Sequence, residues 1–418
     1  MPLPQLVILA GGLGTRLRGV VDDRPKPMAL VHGRPFLERL LVAFRAQGFT
    51  RAVICAGYKA EMIEAHFGEG KALGMALTYS LEPEGALLGT AGALRHAASL
   101  LEPAFLLVNG DTYLDADLAA FAAGHAAGSG VTVGLIRVPD AGRYGAVELA
   151  ADGAITRFAE KSSAAEGLIN AGVYVIDRAV LDAFPARSPL SLERDVFPSL
   201  AGQGRLRGVI LDGTMVDIGT PDSYAAFQFS DMIADQLRES AAVKLKTIEV
   251  CGPAIARAAQ ALVACYRAGG QSLWCGNGGS AADAQHLVGE LVSKLVMERK
   301  ALPAIALSTN NSIISAIAND YAYDQVFVRQ VEAFTRPGDV LVALSTSGNS
   351  ASVRAAALRA KALGATVIGL TGRGGGALAP ICDIAIVVPS DSTQRIQEAH
   401  IAIGHILCDA VERGLFGA

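Results

Sequence analysis

The 418-residue chain has no uninterrupted apolar run of about 18 residues, so nothing in it reads as a membrane span. The amino terminus, Met1-Pro2-Leu3-Pro4-Gln5, lacks the charged opening of a secretory leader and runs straight into a strand-like stretch. The six cysteines, Cys55, Cys251, Cys265, Cys275, Cys382 and Cys408, contain no Cys-x-x-Cys pair. They read as reduced core thiols of a cytoplasmic protein. Basic residues number 36 and acidic residues 40, for a formal charge of −4, with no long basic run. Bulk charge therefore argues against a nucleic-acid or anionic-membrane surface. Short-period repeats, low-complexity tracts and a Gly/Ser-rich or Pro-rich linker are also missing.

What is present is enough apolar sequence for large cores: 51% apolar residues against 18% charged. At roughly 100–200 residues per domain, the length predicts two or three domains. The punctuation is α/β: short β-rich apolar runs alternate with longer helical patterns. Residues 6–9, 52–56, 105–108, 131–136 and 173–176 read as strands of a first half. Residues 273–275, 304–307, 340–344, 366–370 and 384–388 read as strands of a second. Between them, 221 to about 268 is helical in pattern, and Gly252-Pro253 predicts that one helix ends there and another begins. The boundary is expected near residue 228, giving domains 1–228 and 229–418.

In the first half, Leu6-Val7-Ile8-Leu9-Ala10-Gly11-Gly12-Leu13-Gly14-Thr15-Arg16-Leu17 is a strand, a glycine loop and a basic residue. Glycines let the backbone approach a phosphate closely, and free amides at a helix start bind anions. Arg16 and Lys26, in Arg24-Pro25-Lys26-Pro27, add charge suited to a triphosphate. The loop is not a Walker A motif, because no Gly-Lys-Ser/Thr follows, and it lacks the Gly-x-Gly-x-x-Gly order. Downstream come Gly89-Thr90-Ala91-Gly92-Ala93, Asn109-Gly110-Asp111-Thr112, Arg143-Tyr144-Gly145-Ala146-Val147-Glu148, Glu160-Lys161, Asn170-Ala171-Gly172-Val173-Tyr174 and Asp217-Ile218-Gly219-Thr220-Pro221.

In that order these motifs resemble the sugar-1-phosphate nucleotidylyltransferases, over nearly all of residues 5–228. The resemblance implies a Rossmann-like domain with a mixed sheet. It implies in-line attack of a sugar phosphate on the α-phosphorus of a nucleoside triphosphate, with pyrophosphate leaving. It assigns magnesium to Asp111 and Asp217, and the triphosphate to Arg16, Lys26 and the loop Gly11, Gly12, Gly14 and Thr15. Gly89 and Thr90 fall in the base-reading loop. Lys161 takes the sugar phosphate, with Glu160 and Asn170 near the sugar. The loop 82–88 departs from the family's shorter version, and the hexapeptide-repeat extension of many relatives is missing. Lys-Pro-Met-Ala, Gly-Tyr-Lys-Ala-Glu-Met-Ile and Ser-Leu-Glu-Arg-Asp lean towards heptose-1-phosphate guanylyltransferases.

In the second half, Leu273-Trp274-Cys275-Gly276-Asn277-Gly278-Gly279-Ser280 and Ser345-Thr346-Ser347-Gly348-Asn349-Ser350 are two loops, each following a strand and preceding a helix. Hydroxyls and amides gathered at a helix start suit a phosphomonoester. His286 and Glu290, spaced i, i+4, share a helix face. Asn319-Asp320 and Arg395-Ile396-Gln397-Glu398-Ala399-His400, with His405 beyond, complete a pattern that closely resembles phosphoheptose isomerase, a SIS-domain enzyme with a flavodoxin-like parallel sheet flanked by helices.

That resemblance implies zinc on His286, Glu290, Gln397 and His405. It also implies the conversion of sedoheptulose 7-phosphate to D-glycero-D-manno-heptose 7-phosphate, for which Glu290 is the expected base and His405 the expected acid. A coordinated lone pair cannot also accept a proton, so either zinc polarises the carbonyl while ligands exchange, or another group shuttles the proton. Ser345, Thr346, Ser347 and Ser350 would hold the phosphate, and Asn277, Gly278, Gly279, Ser280, Asn319 and Asp320 would contact the sugar with Gln397. Gln397 and His405 are eight residues apart, about 12 Å along a helix. One metal reaches both only if it sits between them, if the helix starts late, or if another subunit contributes. His400 is expected to be structural.

Together the halves imply a bifunctional enzyme of GDP-heptose biosynthesis, feeding bacterial surface polysaccharide. Its expected substrates are sedoheptulose 7-phosphate, heptose 1-phosphate and GTP. A homo-oligomer, a tetramer through the second half, is expected, as is a cytoplasmic location. The alternative is a transferase for another sugar 1-phosphate, mannose or glucose type, whose SIS domain senses a sugar phosphate.

Overall fold

The computed structural model describes residues 3–12, 17, 20–21, 23–83, 85, 88–139, 146–158 and 166–417. These fall into two compact units, Met1–Met232 and Ile233–Ala418.

The first unit is built on a mixed sheet. Its strands are β1 (Gln5–Leu9), β2 (Arg51–Ala56), β3 (Ala76–Leu81), β4 (Ala104–Asn109), β5 (Val131–Val138), β6 (Gly167–Asp177) and β7 (Leu206–Ile210). The spatial order is β7-β5-β6-β4-β1-β2-β3. β1 runs parallel to β2 and β4, whereas β6 is antiparallel to both β4 and β5. Alternation along the strands fills both faces: Leu6 and Ile8 join one core, Val7 the other. Helix α1 (Phe36–Ala46) buries Phe36, Leu37, Leu40, Leu41 and Phe44, the spacing of a helical stripe.

The second unit carries a five-stranded, all-parallel sheet of β8 (Ser272–Cys275), β9 (Ala304–Ala306), β10 (Val340–Ser345), β11 (Thr366–Thr371) and β12 (Ile384–Val387). Its order, β9-β8-β10-β11-β12, is the flavodoxin-like one. Trp274, Val340, Val342 and Ile368 face one core; Leu273, Cys275, Leu341 and Val367 face the other. In such a sheet ligands bind at the carboxyl ends of the strands where the order reverses, here between β8 and β10.

All ten strands expected from the sequence are present. The expected break at Gly252-Pro253 is not: α2 runs unbroken from Pro221 to Arg267 with Pro253 inside it. A proline removes one backbone donor and crowds the preceding turn, but it does not forbid helical dihedrals. Burial of Cys251, Ala258, Leu262 and Cys265 in the core offsets that cost. By length and composition alone, a window of this helix, at mean hydropathy 1.3, is apolar enough to cross a bilayer. The sequence criterion of uninterrupted apolar residues does not register it.

Candidate functional site

In the first unit, three ionisable groups meet at the carboxyl end of the central strands. Asp111 lies two residues past the end of β4, and Asp217 ends the short strand Thr214–Asp217. That strand pairs antiparallel with Thr112–Asp115, setting Asp217 opposite Thr112. A two-stranded ribbon therefore brings together carboxylates distant in sequence. Lys26, in a tight turn flanked by Pro25 and Pro27, donates to Asp111 Oδ2 at 2.6 Å and to Asp217 Oδ1 at 3.4 Å. Its side chain is only 9% exposed, so the ammonium is held by the carboxylates and not by water. A side chain at Gly219 would stand 2.8 Å from the Asp217 carboxylate, which explains the glycine there.

Lys26 and Asp111 line a cleft of about 450 Å³ together with Gly11, Gly12, Glu82, Gly89, Thr90, Asn109 and Gly219. The two carboxylates that share the Lys26 ammonium are also the donor type that magnesium takes, one or two carboxylates with phosphate oxygens filling the shell. Asn170 lies on β6, where its amide donates to Tyr174 Oη at 2.8 Å. Gly14, Thr15, Arg16, Glu160 and Lys161, with the segment 143–145, lie outside the described residues.

Glu82, just past β3, is a cleft residue that the motifs do not flag. A Cβ at Gly11 would meet its carboxylate at 2.7 Å, and one at Gly57 at 3.2 Å, so two glycines make room for it. Burial pushes its pKa up, while the Leu88 N–H and His96 pull it down. The only sequence signal was that it opens the 82–88 loop, where the chain departs from the family pattern.

In the second unit, the loop after β8 starts the helix α3 (Gly279–Val292), and the loop after β10 leads into α4 (Ala351–Ala362). Asn277 ties them: its amide donates to Ser352 Oγ at 2.9 Å, and its oxygen accepts from Tyr323 Oη at 3.0 Å. Ser345 and Ser350 hydroxyls lie 3.3 Å apart across the second loop. Ser347 Oγ accepts from the Asn349 N–H, and the Thr346 carbonyl from the Gly372 N–H. The Ser280 N–H closes the first loop onto the Asn277 carbonyl. Asn319 and Asp320 end a neighbouring helix, Asn311–Asp320, and bond to each other at 2.8 Å.

His286 and Glu290 lie on one face of α3, and His405 on α5 (Thr393–Phe416), which packs against it. His286 Nε2 is 2.9 Å from His405 Nε2 and 3.4 Å from Glu290 Oε1. All three donor atoms lie within 4.8 Å of one another. Two imidazoles and one carboxylate form a donor set that zinc takes.

Gln397 lies on α5 about two turns before His405, against the first residue of α3. Its amide nitrogen would stand 2.3 Å from a Cβ at Gly279, and Gly279 precedes His286 by about 10 Å of helix rise. Because α5 begins at Thr393, a late helix start is excluded as a way to bring Gln397 and His405 together. His400 is fully buried, with Nε2 3.1 Å from the Thr371 carbonyl. Burial lowers its pKa to about 4.

The nucleotidyl transferase family model matches residues 5–235, and the SIS domain model residues 236–372. A phosphoheptose isomerase of Rhodospirillum rubrum is 58% identical over 165 residues, 40% of this chain and 88% of the relative. One of Roseiflexus sp. is 50% identical over 188 residues, 45% of this chain and 95% of the relative. The crystal structure of HddC from Yersinia pseudotuberculosis aligns with TM-score 0.50 at 31% identity, over 55% of this chain and 99% of that one.

Proposed function

Because the chain belongs to the nucleotidyl transferase family over residues 5–235 and to the phosphoheptose isomerase family over its second half, an enzyme with both activities, we propose that it catalyses two specific steps towards GDP-D-glycero-α-D-manno-heptose. The second domain, 229–418, isomerises sedoheptulose 7-phosphate to D-glycero-D-manno-heptose 7-phosphate. The first, 1–228, transfers GMP from GTP to D-glycero-α-D-manno-heptose 1-phosphate and releases pyrophosphate.

The observation that carries this reading is the convergence of His286, Glu290 and His405, donors that a passive sugar-phosphate sensor does not need. Isomerisation moves a proton between carbons 1 and 2 through an enediol, which requires a base and an acid for the oxygens. Glu290 is the base and His405 the acid of this proposal, each acting through an atom that is not bound to the metal at that moment. His286, Glu290 and His405 would hold zinc, which when bound polarises the substrate carbonyl. Ser345, Thr346, Ser347 and Ser350 bind the 7-phosphate, and the Asn277 loop orients the sugar.

In the transferase, Lys26 and Arg16 bind the triphosphate, and Lys161 binds the incoming sugar phosphate. Asp111 and Asp217 would hold magnesium, which when bound neutralises phosphate charge. Glu82 supports the choice of base. A carboxylate accepts two parallel hydrogen bonds from the N1–H and 2-amino group of guanine; adenine offers no such donor pair. Half-exposure of His286 supports a homo-oligomer in which another subunit completes the isomerase site.

The test is pyrophosphate release with the heptose 1-phosphate, offered GTP, ATP, CTP and UTP in turn with magnesium, beside ketose–aldose interconversion of the 7-phosphate. Selective turnover with GTP and interconversion in the same preparation are expected. Turnover only with another triphosphate or another sugar phosphate would remove the pathway assignment. Absence of interconversion would favour the sensor.

A further inference from the structure

The helix carrying His286 and Glu290 stops at Val292, two residues past Glu290. The last carbonyls of a helix have no partner within it and need capping. Here the cap is a side chain from the loop beyond. Arg299 Nη2 donates to the Glu290 carbonyl at 2.7 Å, and Nη1 donates to the Leu291 and Ser293 carbonyls at 2.7 and 2.9 Å. The third guanidinium nitrogen, Nε, donates to Glu412 Oε1 at 3.0 Å. Glu412 in turn accepts the backbone N–H groups of Leu295, Val296 and Met297 at 2.9, 3.0 and 2.9 Å. The two side chains are 1% and 0% exposed.

Glu412 lies seven residues after His405 on the same helix. That is about two turns, so the two share a face. One buried ion pair therefore joins the backbone of Glu290, on one helix, to the helix that carries His405. A slip of one turn between these helices would be about 5.4 Å, more than the whole 4.8 Å spread of the three donor atoms. Burying an ion pair costs desolvation that an apolar pair would avoid, and the best-attested return is a fixed register.

We propose that Arg299 and Glu412 are positioning residues that set the register of the two helices, and thereby the geometry of the His286, Glu290 and His405 centre. This rests on reading those three residues as a metal centre. Both side chains are buried and act through the ligands, as outer partners that typically change metal affinity 10–100-fold when removed.

The experiment uses the full chain with zinc alone, titrated against a competing chelator, and with cobalt(II) as a visible-absorption probe of ligand geometry. Arg299→Lys keeps the charge but loses the fork that spans the carbonyls; Glu412→Gln keeps the shape but loses the charge. In either variant that still unfolds cooperatively without metal, zinc should bind about ten-fold more weakly or worse, with an altered cobalt spectrum. Folded variants that bind zinc as tightly as the parent, with the parent's spectrum, would overturn the proposal. So would failure of both to fold, since the pair would then support the unit and not align the ligands. If the parent's own zinc affinity is untouched by His286→Ala, it is the metal-centre reading that fails.

Discussion

Glu82 and His400 show how a single side chain acquires a role from its surroundings. Glu82 has its carboxylate at the cleft only because Gly11 and Gly57 leave space for it. If it reads guanine, Glu82→Gln should cost GTP turnover at least about ten-fold in kcat/KM and leave turnover with ATP little changed, since a site built for hydrogen-bond donors discriminates strongly. Side-by-side steady-state kinetics with the two triphosphates check this.

His400 is the opposite case, a histidine withdrawn from chemistry. Its folded pKa, about 4, lies below the ordinary 6.5. Between those values the unfolded chain binds the proton and the folded one does not. Its contribution to stability is therefore complete above pH 6.5 and is lost as pH falls towards 4, up to about 3 kcal/mol. Denaturant unfolding of the parent and of His400→Gln across that range should show a difference that narrows with acidity. The buried thiols are silent in the same way: burial pushes Cys55, Cys275 and Cys408 up to about 12.

Individual elements depart from the local signals in two places. The first is α2, which passes through Pro253 without a break. Proline costs about 3 kcal/mol relative to alanine in a helix interior, and Pro253 is exposed and not part of the buried core cluster. Pro253→Ala should therefore stabilise the second unit by about 1–3 kcal/mol. Calorimetry would detect this as a higher unfolding temperature with both activities unchanged. The second is the centre on α3 and α5. The i, i+4 spacing of His286 and Glu290 was legible because helix periodicity is local. The arrival of His405 opposite them depends on how two helices pack, and the Arg299–Glu412 pair beneath them has no motif at all, since its members are 113 residues apart.

At the scale of the molecule, the chain joins two units whose charged sites have no residue in common. The proposed chemistry makes them separable. Asp111→Asn should reduce pyrophosphate release at least about 100-fold and leave ketose–aldose interconversion intact. Glu290→Gln should do the reverse while phosphate-sugar binding persists. Loss of both activities from either substitution would mean that the two steps do not run on separate sets of residues.

Strand positions, the α/β alternation, the glycine and serine loops and the residue types of both sites could be read from the sequence. Hydrophobic alternation, turn chemistry and short motifs are encoded within a few neighbouring residues. Only the tertiary structure decided that Lys26 lies between Asp111 and Asp217, that Glu82 faces the cleft, and that His405 meets His286 while Gln397 lies near Gly279. Those outcomes depend on which distant segments pair and in what register. That is set by the packing of whole sheets and helices, a sum of many weak contacts that no local stretch of sequence contains.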